Sequence, residues 1–336
     1  CHINVPYHCG VSSWGCNIPI IPPDLFDWLR RFDARRDHYL ALGRHYVQAM
    51  VNRGFTFSFQ RDYDGRPLPT NELDFSPEVA AFQMALYAVM LDLTAELNVD
   101  LLGIPAQLLM TDHVVCGDLI KGVAMSSWGP EGRDQPLTWV TEGDIDAAIS
   151  HWLLWHVTGA APVFCDVRCF IPALNAWMMC NSGAAAADAA DGGWANCFSV
   201  RQYAGYFRVN GGGGTFAFRN PAACQVVGIR TALDHDGIYA TVAIGETIQS
   251  KDPTHVVDGR WPQYKVRVWD NTRKCRMYWP TNHFHWARSN HPLEDASVLL
   301  EAVRLAGGRT QLLYDGKSYG GRAYDDVSNS PASLAV

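Results

Sequence analysis

Several features that would assign a protein to a class at once are missing from this sequence of 336 residues. It has no segment rich in lysine and arginine and its formal net charge is −7, so we do not expect nucleic acid or an anionic membrane as a partner. No apolar run predicts a membrane-spanning helix, and no signal-peptide pattern stands at the start. Dinucleotide-binding motifs and internal repeats are also absent. These absences favour a cytoplasmic protein that acts on a small molecule.

The ten cysteines lack the CxxC pairs that zinc and redox sites use. They are scattered along the chain, which predicts reduced and mostly buried thiols and agrees with a cytoplasmic location. Cys9 and Cys16 lie near His2 and His8, but the spacing matches no common zinc motif. We therefore do not expect a metal cluster in this segment.

The sequence does contain enough apolar residues, 48%, for a large core or two domains. Helix and strand patterns alternate over residues 1–172 and predict an α/β domain with a Rossmann-like parallel sheet. Short β-rich segments separated by turns follow over residues 173–336. They predict a β-rich, barrel-like C-terminal domain that ends in a helix and a strand.

Two long helices are predicted in the first half of the chain. One runs from Leu25 to about Met50, after a Pro-Pro-Asp sequence. The other begins at Ser76, a capping residue followed by Pro77 and an acidic residue, and runs to about Asn98. The second helix is apolar on nearly all sides, which predicts that it is buried.

The segment 137–168 predicts a strand, a helix and a second strand. Leu137–Thr141 and Ala161–Cys165 are short apolar runs, and Asp144 and Gly159 stand where residues cap the helix between them. Such a compact unit predicts a right-handed crossover between two parallel strands of one sheet.

Two carboxylates follow these strands: Glu142 comes directly after the first and Asp166 directly after the second. We expect both to face one crevice, because open α/β sheets bind ligands at the carboxyl ends of their strands. Carboxylates in that place bind a hard divalent cation or act as acid and base. Alternatively, they cap helices or pair with a neighbour such as Arg168.

A polar group also follows the strand predicted over Val99–Ile104. Gln107, Asp112 and His113 come after its end and are expected at the same edge, where they would orient a polar substrate by hydrogen bonds. The alternative is a loop whose side chains satisfy its own backbone.

Three histidines cluster before the last predicted helix: His283, His285 and His291. One imidazole added to two carboxylates would complete a cation site that keeps open positions for a substrate. This ligand set, without a thiolate, favours Mn²⁺ or Mg²⁺, with Co²⁺ as a further option and zinc less expected. For any single histidine the alternative is a structural role.

The motifs around these residues resemble the second and C-terminal domains of the L-fucose isomerase family, within the fucose/arabinose isomerase group. That family carries A-T-E-N-D at one strand end and F-A-D-V-R at the next. This chain has V-T-E-G-D at 140–144 and F-C-D-V-R at 164–168, with the family's spacing. The resemblance extends from about residue 75 to the end. Shorter matches follow in the family's order: Thr111-Asp112, Gly117-Asp118, Asn181-Ser182-Gly183, Tyr206-Phe207-Arg208, Thr215–Arg219, Trp261-Pro262 and Asn282-His283.

The resemblance implies that Glu142, Asp166 and His283 are the metal ligands. His285 is the alternative to His283, because the loop before the last helix differs in length by one residue from the family's. The resemblance also implies a homo-oligomer, either a hexamer or a trimer. The substrate-binding residues that it implies are Gln107, Tyr206, Trp261 and Asn282.

The chain also departs from the family. Family proteins carry a further N-terminal Rossmann-like domain that helps to close a neighbouring subunit's pocket, and this sequence has no counterpart of it. The segment between Asp166 and His283 is shorter than in the family. The resemblance therefore leaves the identity of the sugar open.

The chemistry of an aldose–ketose isomerase agrees with this set of residues. The enzyme, an intramolecular oxidoreductase, moves a proton between adjacent carbons through an enediolate, whose charge a chelated divalent cation stabilises. A carboxylate takes the proton and returns it, and Glu142 and Asp166 both suit that role. We therefore expect a metal-dependent aldose–ketose isomerase with Mn²⁺ as its cofactor. The alternatives are a metal-dependent sugar or sugar-acid lyase or epimerase on the same scaffold, and a non-catalytic sugar-binding subunit.

Overall fold

The computed structural model describes residues 25–59, 75–104, 114–141, 144–182, 184–202, 213–250, 261–270 and 283–316. These residues form six α-helices and thirteen β-strands, a mixed α/β composition as the sequence predicts. The helices are α1 (Leu25–Ala34), α2 (Arg36–Asn52), α3 (Pro77–Leu97), α4 (Asp118–Met125), α5 (Ile145–Thr158) and α6 (Pro292–Leu305). The strands are β1 (Thr56–Ser58), β2 (Leu101–Ile104), β3 (Thr138–Thr141), β4 (Val163–Cys165), β5 (Val167–Ile171), β6 (Ala176–Met179), β7 (Phe198–Arg201), β8 (Gly214–Ala217), β9 (Gln225–Asp234), β10 (Gly237–Thr247), β11 (Tyr264–Val268), β12 (Phe284–Arg288) and β13 (Arg309–Leu313).

Helix α3 begins as the sequence predicts. The Ser76 hydroxyl accepts a hydrogen bond from the backbone N–H of Val79 at 3.2 Å, and Pro77 occupies the first turn. By length and composition α3 would span a membrane, although no such segment was expected from the sequence. However, 61% of its most apolar window is buried inside the molecule. The core helix of a globular protein passes the same test, so α3 is weak support for a membrane partner.

The single helix predicted over residues 25–50 is two helices, because the chain leaves helical geometry at Arg35 with φ −136°. In α1, the indole N–H of Trp28 donates to a backbone carbonyl of α3 at 3.2 Å. Helix α2 also packs closely on α3, since a Cβ atom added to Gly43 would come within 2.0 Å of the Ala81 carbonyl oxygen. The break at Arg35 therefore lets both helices bury one face against α3.

Three sheets are present among the described strands. β2 and β3 form a parallel pair, and β1, β7 and β8 form a second small sheet. The other eight strands form one curled sheet in the order β4-β12-β9-β10-β11-β6-β5, with β13 paired to β10. This sheet draws strands from both sides of residue 172, and the division into domains 1–172 and 173–336 stays a prediction. One of the turns predicted between the β-rich segments joins β9 and β10 at Asp236-Gly237, where Gly237 has φ 107°.

The crossover predicted from β3 through α5 to β4 is correct in its helix and wrong in its strand pairing. Asp144 accepts from the Ala147 N–H at 2.9 Å at the start of α5, and Gly159 ends the helix with φ 66°. However, β3 pairs with β2, whereas β4 pairs antiparallel with β12 in the large sheet. A short apolar strand has the same sequence pattern beside either partner. Asp166 therefore follows a strand of the large sheet and not of the parallel pair.

Apolar cores cover both faces of the large sheet. Val226 of β9 packs in a core shared with α3, whereas Val227 and Ile229 pack in a second core with α5 and α6. This alternation follows from the two-residue period of a strand. Burial of each such side chain contributes about 1.5–3 kcal/mol, so the sheet is a stable support for groups at its strand ends.

Candidate functional site

The structure describes three of the seven predicted site residues: Asp166, Trp261 and His283. It brings Asp166 and His283 together at one end of the β4–β12 pair. Cys165 is opposite Phe284 in this antiparallel pair, so the residue that follows β4 lies beside the residue that precedes β12. The His283 Nε2 atom is 3.6 Å from Asp166 Oδ1. The other four predicted residues lie outside the described residues: Gln107, Glu142, Tyr206 and Asn282.

A second carboxylate, Asp144, holds the other side of the His283 ring. The Nδ1 atom of His283 donates to Asp144 Oδ2 at 2.5 Å. In a neutral imidazole a proton on Nδ1 leaves the lone pair on Nε2, the nitrogen that faces Asp166. Asp144, His283 and Asp166 thus form a chain in which each ring nitrogen meets a carboxylate.

Arg230 completes the surroundings of Asp144. Its Nη1 atom lies 2.9 Å from Asp144 Oδ2, and both side chains are almost fully buried. The contact is an ion pair without hydrogen-bond geometry, because no acceptor within the described residues is aligned with an N–H of Nη1. Burial raises the pKa of Asp144, but the hydrogen bond from His283 and the charge of Arg230 outweigh it and hold the pKa far below its ordinary range. Asp144 is therefore a carboxylate anion at neutral pH.

The backbone at His283 is also unusual, with φ 71°. A non-glycine residue in the left-handed region costs energy, and such residues occur often at functional sites. This conformation turns the chain immediately before β12. It therefore contributes to the direction in which the His283 ring enters the space between Asp144 and Asp166.

The remaining oxygen of Asp166 faces protein donors. Arg168 Nη2 lies 2.5 Å from Asp166 Oδ2, and Asn181 Nδ2 donates to the same oxygen at 3.4 Å. The Arg168 guanidinium lies over the Trp261 ring, 5.6 Å from its centre. The ion pair with Arg168 that the sequence left open is therefore present, and it links the predicted substrate residue Trp261 to Asp166.

A buried polar network reaches the end of β3 from the other side. The Lys121 ammonium donates to the Thr141 hydroxyl and lies 3.3 Å from Asp118 Oδ1, and all three side chains are excluded from solvent. Burial raises the pKa of Asp118, while the charge of Lys121 and a hydrogen bond from Gln202 oppose that shift. Because Thr141 directly precedes Glu142 in the sequence, this network supports the strand end that carries the first predicted carboxylate.

Gln202 connects this network to Trp261. Its amide nitrogen donates to Asp118 Oδ2 at 2.6 Å, and its amide oxygen accepts from the Trp261 indole N–H at 3.0 Å. Trp261 is 4% exposed and is held from both sides, by Gln202 at its nitrogen and by Arg168 over its ring. The structure thus links the two strand ends that precede Glu142 and Asp166 through buried polar contacts.

His285 and His291 occupy different surroundings from His283. His285 is fully buried and stacks edge-to-face with His151 at 5.4 Å, and neither ring has a hydrogen-bond partner in the described part of the chain. His291 is largely exposed and lies 4.0 Å from Glu294. The predicted cluster therefore divides: within the described ranges, only His283 of the three contacts Asp166.

The structure describes six cysteines, and one of them borders this site, where the Cys180 carbonyl accepts from Arg168 Nε at 3.2 Å. Each of the six is a free thiol, and four are buried: Cys116, Cys165, Cys180 and Cys197. Burial raises the pKa of the Cys165 thiol well above its usual value, and the neighbouring Asp166 carboxylate raises it further. The expectation that most cysteines are buried is confirmed for these six residues.

Among the described residues, no group of three or more histidine, cysteine, aspartate or glutamate side chains is arranged to hold a metal ion. Asp166 and His283 supply two adjacent ligand atoms, and the proposed third ligand, Glu142, lies outside this part of the chain.

No protein-family model matches the chain, and no curated protein matches it either.

Sequence reasoning did not anticipate several residues of this site. Asp144 was expected only as a helix cap, whereas it also binds His283 and Arg230. Lys121 and Gln202 were not singled out at all. A signal was available for Arg230 and Lys121, because each is a charged residue within an otherwise apolar segment, and buried charges need partners.

Proposed function

We propose that this protein is a metal-dependent aldose–ketose isomerase of the L-fucose isomerase type. Glu142, Asp166 and His283 would hold a divalent cation, with Mn²⁺ preferred over Mg²⁺ or Co²⁺. The observation that carries the proposal is the Asp144–His283–Asp166 chain. A histidine that binds a metal usually donates its other ring N–H to a carboxylate, as His283 does to Asp144.

The two described ligand atoms fit one cation. His283 Nε2 and Asp166 Oδ1 are 3.6 Å apart, and two ligands of one metal ion typically lie roughly 3 Å apart. Asp166 Oδ2 pairs with Arg168, so the carboxylate is oriented with its other oxygen toward His283. Small movements would therefore bring both atoms to one ion.

The protein's own groups would then perform three tasks. Asp144 keeps the proton on His283 Nδ1, so that Nε2 keeps its lone pair. Asp166 or Glu142 takes the proton from one sugar carbon and returns it to the next. The divalent cation, when bound, polarises the sugar carbonyl and stabilises the negative charge that develops on its oxygen. The buried network of Lys121, Asp118 and Gln202 holds the surrounding strand ends in place.

The substrate side of the proposal rests on Trp261. Arg168 covers part of this ring and Gln202 holds its nitrogen, so the small uncovered part of the ring would border the apolar side of a sugar. Gln107, Tyr206 and Asn282 would supply hydrogen bonds to the sugar hydroxyls. A Rossmann-like first domain, a barrel-like second domain, a hexameric or trimeric assembly and a cytoplasmic location belong to the same proposal.

One observation favours a second function, that of a metal-dependent sugar-acid lyase or epimerase. The Arg168 guanidinium lies beside Asp166 with 27% of its side chain exposed, and arginine binds carboxylates well. A sugar acid would place its carboxylate near this group. The two functions share the metal and the base, and they differ in their product.

The experiment that separates these functions is an assay of the metal-stripped protein with Mn²⁺ restored. The substrates would be fucose, arabinose and ribose in both enantiomers, and a panel of sugar acids, with ketose and dehydrated or epimerised acid measured as products. Ketose that depends on Mn²⁺ and is lost in Glu142→Gln would support the isomerase. Conversion of a sugar acid alone would favour the second function.

Metal binding itself is tested with a matched pair of histidine variants. Calorimetric titration with Mn²⁺ should show strongly reduced affinity in His283→Gln and unchanged affinity in His291→Gln, because His291 is exposed and away from Asp166. Sugar binding without turnover in the Mn²⁺-loaded protein would contradict both enzymes and indicate a sugar-binding subunit. Equal Mn²⁺ affinity in the two variants would contradict the proposed metal centre.

A further inference from the structure

A cavity of about 260 Å³ lies at the opposite end of the β4–β12 pair from Asp166 and His283. Its walls include Gly159 and Ala160 at the end of α5 and Arg288 at the end of β12. His283 and Arg288 are five positions apart on an extended chain, so about 16 Å separates the two ends. The cavity is therefore distinct from the candidate metal centre, although the same two strands border both.

Tyr264 contributes a polar group to this cavity from the core. It is 2% exposed, and its hydroxyl has no hydrogen-bond partner among the described residues. The hydroxyl oxygen is not fully buried and opens onto the cavity, so a molecule from outside the chain can accept its hydrogen bond. Burial raises the pKa of Tyr264 well above its usual value, so this group is a neutral donor.

Arg288 contributes a positive charge at the edge of the same cavity. One of its nitrogens, Nη2, donates to the Ala190 carbonyl at 2.9 Å. A guanidinium carries five N–H groups, and no carboxylate within the described ranges pairs with this one. One hydrogen bond to a backbone carbonyl fixes the side chain beside the cavity and leaves most of its donors available to an anion.

Asp188 also lines this cavity and adds a carboxylate to it. Its Oδ2 atom accepts from the Ser127 backbone N–H at 2.8 Å, and its Oδ1 atom accepts from the Ser127 hydroxyl. These two bonds hold Asp188 in one orientation while each oxygen keeps a further lone pair. The cavity thus has a cation and a neutral donor in its walls, and an acceptor suited to hydroxyl groups.

We propose that this cavity binds a small hydroxylated anion, with the anionic group on Arg288 and Tyr264 and the hydroxyl groups toward Asp188. The volume limits the ligand to a few carbons beyond the anionic group. A hydroxy acid and a phosphate ester of a small polyol share this chemistry. The site does not depend on the proposed isomerase function, since none of its walls contributes to the metal centre.

The test is calorimetric titration of the metal-stripped full chain with glycerate, glycerol 3-phosphate and glycerol. At least one anion should bind with one site per chain, and neutral glycerol should not bind at the same concentration. The two anions distinguish a carboxylate from a phosphate ligand. Failure of both anions to bind, or equal binding of glycerol, would overturn the proposal.

Variants then place the binding in this cavity. Arg288→Gln should reduce the affinity about ten-fold or more, and Tyr264→Phe, which keeps the ring in the core, should reduce it by a smaller factor. Arg309→Gln is the matched control, because Arg309 is another exposed arginine at a strand end. His283→Gln should bind the anion as the wild type does. Loss of binding in His283→Gln, or unchanged binding in Arg288→Gln, would contradict the assignment.

Discussion

His283 and His285 are two residues apart, yet their surroundings are opposite. The His283 ring lies between two carboxylates, Asp144 and Asp166. The His285 ring is completely buried and faces His151, with no hydrogen bond to either ring in the part of the chain that the structure describes. Burial and the neighbouring His151 lower the pKa of His285 well below its usual value. One histidine therefore lies between two carboxylates, and the other is a neutral core residue.

The surroundings differ because the His283 ring contacts residues at the ends of neighbouring elements, whereas the His285 ring contacts the interior of a helix. Asp144 caps the start of α5 and Asp166 follows the end of β4, so both carboxylates stand at the ends of elements. His151 lies inside α5, on the face that packs against the large sheet. In this protein the polar side chains at these element ends contact one another, although both carboxylates are buried, whereas the histidine in the helix interior contacts the core. This comparison leads to four predictions, given from the largest expected effect to the smallest.

Substitution Asp144→Ala should produce the largest loss of stability. It leaves the buried Arg230 guanidinium without its counter-charge and removes the cap of α5, so we expect a loss of about 3–5 kcal/mol in the free energy of unfolding. Urea denaturation measures this loss. Asp295→Ala is the control, because Asp295 also stands at a helix start but is partly exposed and accepts from the Ser289 hydroxyl. Equal losses in the two variants would contradict the role given to Arg230.

Substitution Asp144→Asn should weaken metal binding while it keeps the cap of α5, although it also removes the counter-charge of Arg230. Asparagine caps helices about as well as aspartate, so α5 is retained, but its neutral amide no longer holds the His283 proton as a carboxylate does. We expect the affinity for Mn²⁺ to fall about 10- to 100-fold. Calorimetric titration measures it, with Asp295→Asn as the control. An unchanged affinity would show that Asp144 does not position His283.

Acid should destabilise the protein through His151. Burial lowers its pKa from 6.5 in an unperturbed state to about 3 in the folded protein. Between these pH values the unfolded chain binds the proton and the folded chain does not, so stability is lost as pH falls below about 6.5. Between pH 6.5 and 5, we expect the wild type to lose about 2 kcal/mol more than His151→Phe. Denaturation at both pH values measures the difference, and equal losses would contradict the burial of an uncharged His151.

Substitution His285→Phe should have the smallest effect. It replaces a buried polar ring that has no partner among the described residues by an apolar ring of similar size, beside Phe164. We expect a change within about 1 kcal/mol at pH 7 and unchanged binding of Mn²⁺. His283→Phe in the same assay should lose Mn²⁺ binding. The reverse result would assign the metal to His285, the alternative that the sequence left open.

Local signals predicted local structure well. Ser76, Asp144 and Gly159 cap helices where their residue types indicate, because a cap depends only on the few residues around it. The final helix and strand that the sequence predicts also form, as α6 and β13. The break at Arg35 was not predicted, since it depends on how α1 and α2 share the surface of α3.

Sequence patterns could not predict which strands pair with each other. The apolar run before Asp166 predicted a buried strand correctly, but its neighbour is β12 and not β3. A period of two residues reports which side chains are buried and contains no information about the partner. For the same reason the sequence could not predict the ion pair between Asp144 and Arg230, which are far apart in the chain.

The sequence by itself therefore determined several helix ends and the mixed α/β class, because these follow from residue type and near neighbours, and it named Asp166 and His283 as candidates. Only the tertiary structure decided that His283 and not His285 meets Asp166, that Asp144 stands behind it, and that a second polar cavity lies at the far end of the same strands. These features depend on strand partners and on the packing of α5 against the sheet. Such long-range contacts depend on which faces of helices and sheets are buried against each other, and a short segment of sequence does not carry that information.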